Sequence, residues 1–342
     1  MSMSLDRGAE LESCVIDKRL AGSLNATAYL AEFSPKKAAE RLQREMRQTK
    51  NQAELSLLKK RLKFILTTKK QMVFLKQYSN PGYRDTELIR NYVRYQQKIH
   101  SRINAWSQKN DPHLLCCEYD SFICEEPGKR AYYQALEYFE FNQPLTELVN
   151  GSPVTVVKPP LPHLRYDEML FHAKRLFYAI GILHELEIVH ADLKPDNLLI
   201  VPNTPGCDYR TILRLIDFDA SIIVGEDHPR YLQFREKHPG EIYHHRGTAG
   251  YVSPEHFNGE IPSYESDVFT ASVIAFEMLS RSGHPFPLTK EDYRDAVRKG
   301  KFRFSEMNGP LSRTAIDALK AGLSYKKENR PSAAELLEAL KT

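Results

Sequence analysis

The 342-residue sequence predicts an α+β fold whose strands and helices segregate into two lobes. Strand-like apolar segments crowd the N-terminal part, at Ala28–Phe33, Met72–Tyr78, Leu114–Cys117 and Ala131–Tyr138. Beyond a connector bearing Pro153, Pro159, Pro160 and Pro162, the apolar residues fall mostly at helical spacing. A hydrophobic fraction of 42% and a charged fraction of 27% are enough to build a core without covalent staples.

Each element has a local cause. Ser34-Pro35 offers an N-cap followed by proline in the first turn, so a long helical stretch opens there. Leu42, Met46, Leu55, Leu58 and Leu62 give it an interrupted apolar stripe. The strand Met72–Tyr78 follows, and a second helical pattern runs from Thr86 to about Trp106. In the C-terminal part, Tyr166–Leu186 carries Leu170, Ala173, Leu176, Phe177, Ile180 and Leu183 on one face. Ser266–Leu279 and Ala333–Leu340 have the same character. A cleft between a strand-rich and a helix-rich lobe is a natural nucleotide site.

Composition excludes several classes. Cys14, Cys116, Cys117, Cys124 and Cys207 form neither an even framework nor a CxxC pair, which points to a reducing compartment. The first residues carry Asp6, Arg7, Glu10 and Glu12 instead of a signal-like apolar core. The longest apolar run, Val268–Leu279, contains Glu277 and falls short of the roughly 20 residues a membrane span needs. A cytoplasmic protein without a membrane span is expected. The net charge of +4 is too mild to imply nucleic acid. Basic residues crowd Lys36–Lys70, however, which reads first as a solvated helical face, with nucleic acid, lipid or an acidic partner as the alternatives.

The chemistry concentrates in His190-Ala191-Asp192-Leu193-Lys194-Pro195-Asp196-Asn197 and, after two apolar strands, in Asp217-Phe218-Asp219. Phosphoryl transfer explains these residue types. A carboxylate, Asp192, orients the attacking hydroxyl and accepts its proton. The amide of Asn197 and the carboxylate of Asp217 hold Mg²⁺ against phosphates. Lys194 neutralises charge on the transferred group.

These segments resemble the catalytic and metal-binding loops of eukaryotic-type serine/threonine protein kinases. The resemblance extends through Gly247-Thr248-Ala249-Gly250-Tyr251-Val252-Ser253-Pro254-Glu255, similar to the end of an activation segment. Asp267 matches the aspartate that anchors the catalytic loop, and Arg330 the arginine that pairs with Glu255. Val73-Phe74-Leu75-Lys76 resembles the strand whose lysine grips the ATP phosphates. Glu137 and Phe139 fall where the hinge binds adenine. The resemblance implies a bilobal kinase-like fold, with residues 15–136 as a small β-rich N-lobe and 137–342 as hinge and mainly helical C-lobe. It implies ATP with Mg²⁺, or Mn²⁺ in its place, and transfer to Ser/Thr hydroxyls of a protein substrate, autophosphorylation included. Lys194 after Asp192-Leu193 and Thr248 after Gly247 are the serine/threonine variants of their motifs.

The sequence departs from the family pattern in places. Leu20–Ala31 aligns with the glycine-rich loop, yet Ala21, Ser23 and Ala26 stand where glycines are usual. Ala21, Gly22 and Ala28 are the expected nucleotide contacts there; a plain strand pair is the alternative. A helical insertion over about residues 34–66 covers the lobe, binds a partner or packs intramolecularly, and a second alignment makes Phe64–Thr67 a strand. Glu87, or Gln96 or Gln97 at more usual spacing, is the expected partner of Lys76. Ala191 replaces the arginine that commonly receives an activation-loop phosphate, and Ile222–Gly247 contains no serine or threonine. Activity is therefore expected not to require Ser/Thr phosphorylation inside that loop. His228, His238, His244 and His245 read as a solvated loop rather than a metal site. The rival to catalysis is a pseudokinase scaffold or ATP-binding regulatory protein, favoured by the glycine-poor loop.

Overall fold

Residues 5–22, 26–78, 86–126, 129–138, 143–144, 165–202, 208–209, 211–229, 231–232, 250–280, 283–287, 290–301 and 311–341 are described by the computed structural model. The chain divides into two units, one of residues 1–112 and 116–140, the other of residues 113–115 and 141–342.

In the first unit, β1 (Glu10–Leu11), β2 (Cys14–Gly22), β3 (Ala26–Phe33), β4 (Gln71–Tyr78), β5 (Glu118–Glu126) and β6 (Lys129–Glu137) form an antiparallel sheet in the order β1-β2-β3-β4-β6-β5. Alternation decides its faces. Along β4, Val73 and Leu75 are buried, whereas Met72 is exposed. The helical insertion is two helices, α1 (Pro35–Gln48) and α2 (Gln52–Thr67). The break follows from Thr49-Lys50-Asn51: Asn51 Oδ1 accepts from Ala53 N at 2.9 Å and Glu54 N at 3.1 Å, an N-cap that restarts the helix. Phe64–Thr67 is the last turn of α2, not a strand, and β3 pairs directly with β4, with Ala28 opposite Lys76. Ala38, Leu42, Leu58 and Ile65 of α1 and α2 are buried in one cluster with Tyr29, Phe33, Val73 and Leu75 of the sheet. The insertion thus packs intramolecularly and contributes to the core of its unit. A long helix, α3 (Thr86–Ser107), completes this unit.

The apolar run Leu114–Cys117 is not a strand. Leu114 and Leu115 belong to the second unit, where Leu215 N donates to Leu114 O, and β5 starts at Glu118. The apolar character there reflects burial without a ladder partner beyond the single Leu115–Leu215 bridge.

The second unit holds β7 (Gln143–Pro144), α4 (Tyr166–Glu185), β8 (Ile188–Val189), β9 (Leu198–Pro202), β10 (Thr211–Leu215) and β11 (Ile222–Ile223). They are followed by α5 (Pro254–Phe257), α6 (Tyr264–Leu279), α7 (Lys290–Arg298), α8 (Arg313–Gly322) and α9 (Ala333–Ala339). Every residue from Ser266 to Leu279 is buried, so α6 is a central helix covered on all sides. Two small sheets, β10-β9-β7 and β11-β8, present the polar loops between them. Among the described residues, no helix is long and apolar enough to cross a membrane.

Candidate active site

The turn after β8 is built around one buried carboxylate. Asp267, on the first turn of α6, accepts from His190 N at 2.7 Å and from Ala191 N at 3.0 Å. Those two bonds hold Ala191 at φ 65°, a left-handed conformation that costs an L-residue about 1–2 kcal/mol. The His190 ring lies 3.1 Å from Ile216 O and packs beside Phe218, tying this turn to the loop after β10. His190 is thus a structural link between two loops.

The strained turn projects Asp192. Lys194 Nζ donates to Asp192 Oδ2 at 2.7 Å, and both side chains remain partly accessible. Asn197 Nδ2 donates to Asp192 O at 2.8 Å, with Asp192 Oδ2 at 3.4 Å. With its amide nitrogen committed, Asn197 keeps its Oδ1 lone pairs for a cation. Ile216 N donates to Asn197 O at 3.0 Å, which sets the backbone of Asp217 beside Asn197. Asp217 is itself held at φ 63° and is half-buried. The sequence-predicted Asp192, Lys194 and Asn197 therefore share direct contacts, and Asp217 joins them through the backbone.

Among the described residues, no group of three or more His, Cys, Asp or Glu side chains could hold a metal alone. Asn197 and Asp217 instead offer two hard oxygen donors. That number suits Mg²⁺, whose shell is otherwise filled by water and phosphate oxygens.

In the first unit, Lys76 sits on β4 opposite Ala28, with its ammonium 5.1 Å from the Tyr78 ring centroid. Ala21 pairs with Ala28 and Gly22 with Thr27 near the end of the β2–β3 hairpin. Glu137 ends β6, where its N–H donates to Cys117 O at 3.0 Å. Phe139 lies outside the described residues, as do Gly247, Thr248 and Ala249. On α3, Glu87 is exposed at the N-terminal turn, Gln96 is buried, and Gln97 Nε2 donates to Ser121 O at 3.4 Å.

Behind the loops, Arg330 forms a bidentate pair with Glu255, at 2.8 and 2.9 Å. The remaining Arg330 donors reach the carbonyls of Ser324, Tyr325 and Glu265. Although burial opposes ionisation, the guanidinium beside Glu255 holds its carboxyl down at about 2.

The family model described as protein kinase domain matches residues 63–340. The chain belongs to the protein kinase domain family. The kinase domain is 28% identical over 54% of the chain to a probable serine/threonine protein kinase, IRE4, of Arabidopsis thaliana, of which it covers 18%. It is 29% identical over 48% of the chain to a calcium and calcium/calmodulin-dependent serine/threonine-protein kinase of Oryza sativa subsp. japonica, covering 29% of it. Serine/threonine-protein kinase 17A of Oryctolagus cuniculus is 26% identical over 48% of the chain, with 38% of it covered. The chain thus spans well under half the length of these relatives. The kinase-domain match begins within α2, so β1–β3 and α1 lie before it.

Three buried polar clusters in this kinase domain are not evident from motifs. Asp120 on β5 accepts from Ser13 Oγ at 2.6 Å, from Arg41 of α1, and from Arg61 of α2 at 3.1 Å. Glu118 accepts from Ser121 Oγ at 2.9 Å and Gln134 Nε2 at 3.0 Å. In the second unit the Tyr251 hydroxyl lies 3.0 and 3.2 Å from the Glu277 carboxyl oxygens. Arg41 falls on the buried face with Ala38 and Leu42, and a charge on an apolar stripe was the available signal. His228 is buried against Tyr231, not solvated as its loop composition implied.

Proposed function

We propose that this kinase domain is catalytically active and transfers the γ-phosphoryl group of Mg·ATP to Ser or Thr hydroxyls of proteins. The observation that carries this reading is the contact set of Asp192, Lys194 and Asn197 on a strained turn that buried Asp267 holds. A strained left-handed alanine persists where its surroundings over-determine it, as at functional sites.

Asp192 positions the acceptor hydroxyl and takes its proton as the oxygen attacks phosphorus. Lys194, already paired with Asp192, lends positive charge as the equatorial oxygens gain negative charge. Asn197 and Asp217 would hold the divalent ion, Mg²⁺ with Mn²⁺ as a substitute, which would supply positive charge to the phosphates. Lys76 holds the α- and β-phosphates, the Ala21-Gly22 and Ala28 backbone covers them, and Glu137 and Phe139 belong to the adenine-binding hinge. In this reading residues 15–136 are the N-lobe and residues 137–342 are the hinge and C-lobe. Serine/threonine preference is supported by Lys194 and by the similarity to serine/threonine kinases.

The deciding measurement is incorporation of label from γ-labelled ATP with Mg²⁺ into the protein and a generic acceptor. Asp192→Asn is expected to lower incorporation on the order of 10²–10⁴-fold while nucleotide binding persists. Absent incorporation by the natural sequence, with nucleotide still bound, would favour the scaffold reading that the glycine-poor hairpin supports.

A further inference from the structure

A groove of about 730 Å³ lies between the α1–α2 pair and α3, wholly inside the first unit and built in part by the insertion. Arg90, Arg94, Lys98 and Arg102 line it from α3. Their four-residue spacing places them in one row along the helix, and Arg90, Arg94 and Lys98 are exposed. Arg44 and Lys60 line the groove from α1 and α2.

Seven basic side chains line the groove against three acidic ones, Glu12, Glu45 and Glu54. Each of those glutamates already pairs with an arginine: Glu12 with Arg44, Glu45 with Arg41, and Glu54 with Arg94. By count alone the lining is net positive. Arg41 also lines the groove, is only 7% exposed, and has an Nε without a hydrogen-bond partner among the described residues. Leu57, Leu58, Val93, Phe122 and Ile123 add apolar surface to the same lining.

We propose that this groove binds an acidic peptide segment of a partner protein, its carboxylates meeting the α3 row and its apolar side chains the aliphatic and aromatic lining. A nucleic acid fits less well, because the three interspersed glutamates oppose an unbroken run of phosphates and the apolar lining gains nothing from it. A membrane surface is flat, whereas this site is concave. The inference does not depend on whether the domain turns over ATP.

The test is fluorescence anisotropy on the full chain with a labelled peptide of about twelve residues that alternates glutamate with leucine and phenylalanine. Saturable binding that weakens with added salt is expected. Arg90→Glu with Lys98→Glu is expected to weaken it at least ~tenfold, because reversing rim charges turns attraction into repulsion. Arg313→Glu with Lys341→Glu, at exposed positions of the second unit, is expected to leave it unchanged. If the first pair lowers the melting temperature, Arg44→Glu, at a 60% exposed side chain, replaces it with the same expectation. No saturable binding, or equal affinity in the groove variants, would overturn the proposal. So would a single-stranded oligonucleotide or phosphatidylserine vesicle that binds more tightly than the peptide and is lost in the same variants.

Discussion

Asp267 shapes the turn after β8 through two backbone amides. Removing its carboxylate in Asp267→Ala leaves His190 N and Ala191 N buried without acceptors, at about 1–3 kcal/mol each. The left-handed Ala191 then loses the bonds that hold it, and Asp192 loses its aim. Chemical denaturation is expected to show that loss of stability, and turnover is expected to fall beyond what the folded fraction explains. Unchanged turnover per folded molecule would mean that the turn keeps its shape without Asp267. That Asp192, Lys194, Asn197 and Asp217 fall in neighbouring loops was legible, because short spacings around apolar strands encode their placement. Asp120 was not, since its partners Ser13, Arg41 and Arg61 come from three distant elements and no local pattern marks them.

At the level of elements, α1 and α2 replace what a short turn would do between two strands. Their apolar side chains share a cluster with the sheet, and their arginines share Asp120. Breaking one partner of a buried ionic group costs about 3–5 kcal/mol, whereas replacing the whole group by apolar residues is often neutral. Asp120→Asn is therefore expected to lower the unfolding free energy of the first unit by about 3–5 kcal/mol in a denaturant titration. Asp120→Leu combined with Arg41→Met and Arg61→Met is expected to recover most of it. Equal loss in both would mean that the arginines act through packing and not charge. The helices themselves were readable from Ser34-Pro35 and their apolar periodicity. Their separation at Thr49–Asn51 was marked only by a lapse of the stripe between Met46 and Leu55, and the Asn51 cap is what turns that lapse into a break. The inward packing was hidden for a related reason: the stretch looks solvated by charge count, yet Arg41 and Arg61 are among its buried residues.

For the molecule as a whole, the buried titratable groups of the second unit set how stability varies with pH. Burial, assisted by nearby Arg175, lowers His172 from the ordinary 6.5 to about 4. The unfolded chain then takes up that proton first, so stability falls as pH drops from about 6.5 toward 4, by roughly 3 kcal/mol when complete. Glu255, held at about 2 against an ordinary 4.5, contributes stability that is present above 4.5 and lost as pH falls toward 2. Glu277 runs the other way. Burial raises its carboxyl well above 4.5 despite the Tyr251 hydroxyl, so its contribution is complete below 4.5 and declines as pH rises. Between pH 4.5 and 6.5 His172 and Glu277 oppose each other, and above 6.5 only the Glu277 decline remains of that pair. Melting temperatures recorded from acid to alkaline pH are expected to separate them. His172→Gln flattens the limb between 6.5 and 4, and Glu277→Gln gains on the natural sequence as pH rises above 4.5. A Glu277→Gln profile parallel to the natural one at every pH would show that this carboxyl is ionised in the folded state, with the Tyr251 hydroxyl sufficient to hold its charge.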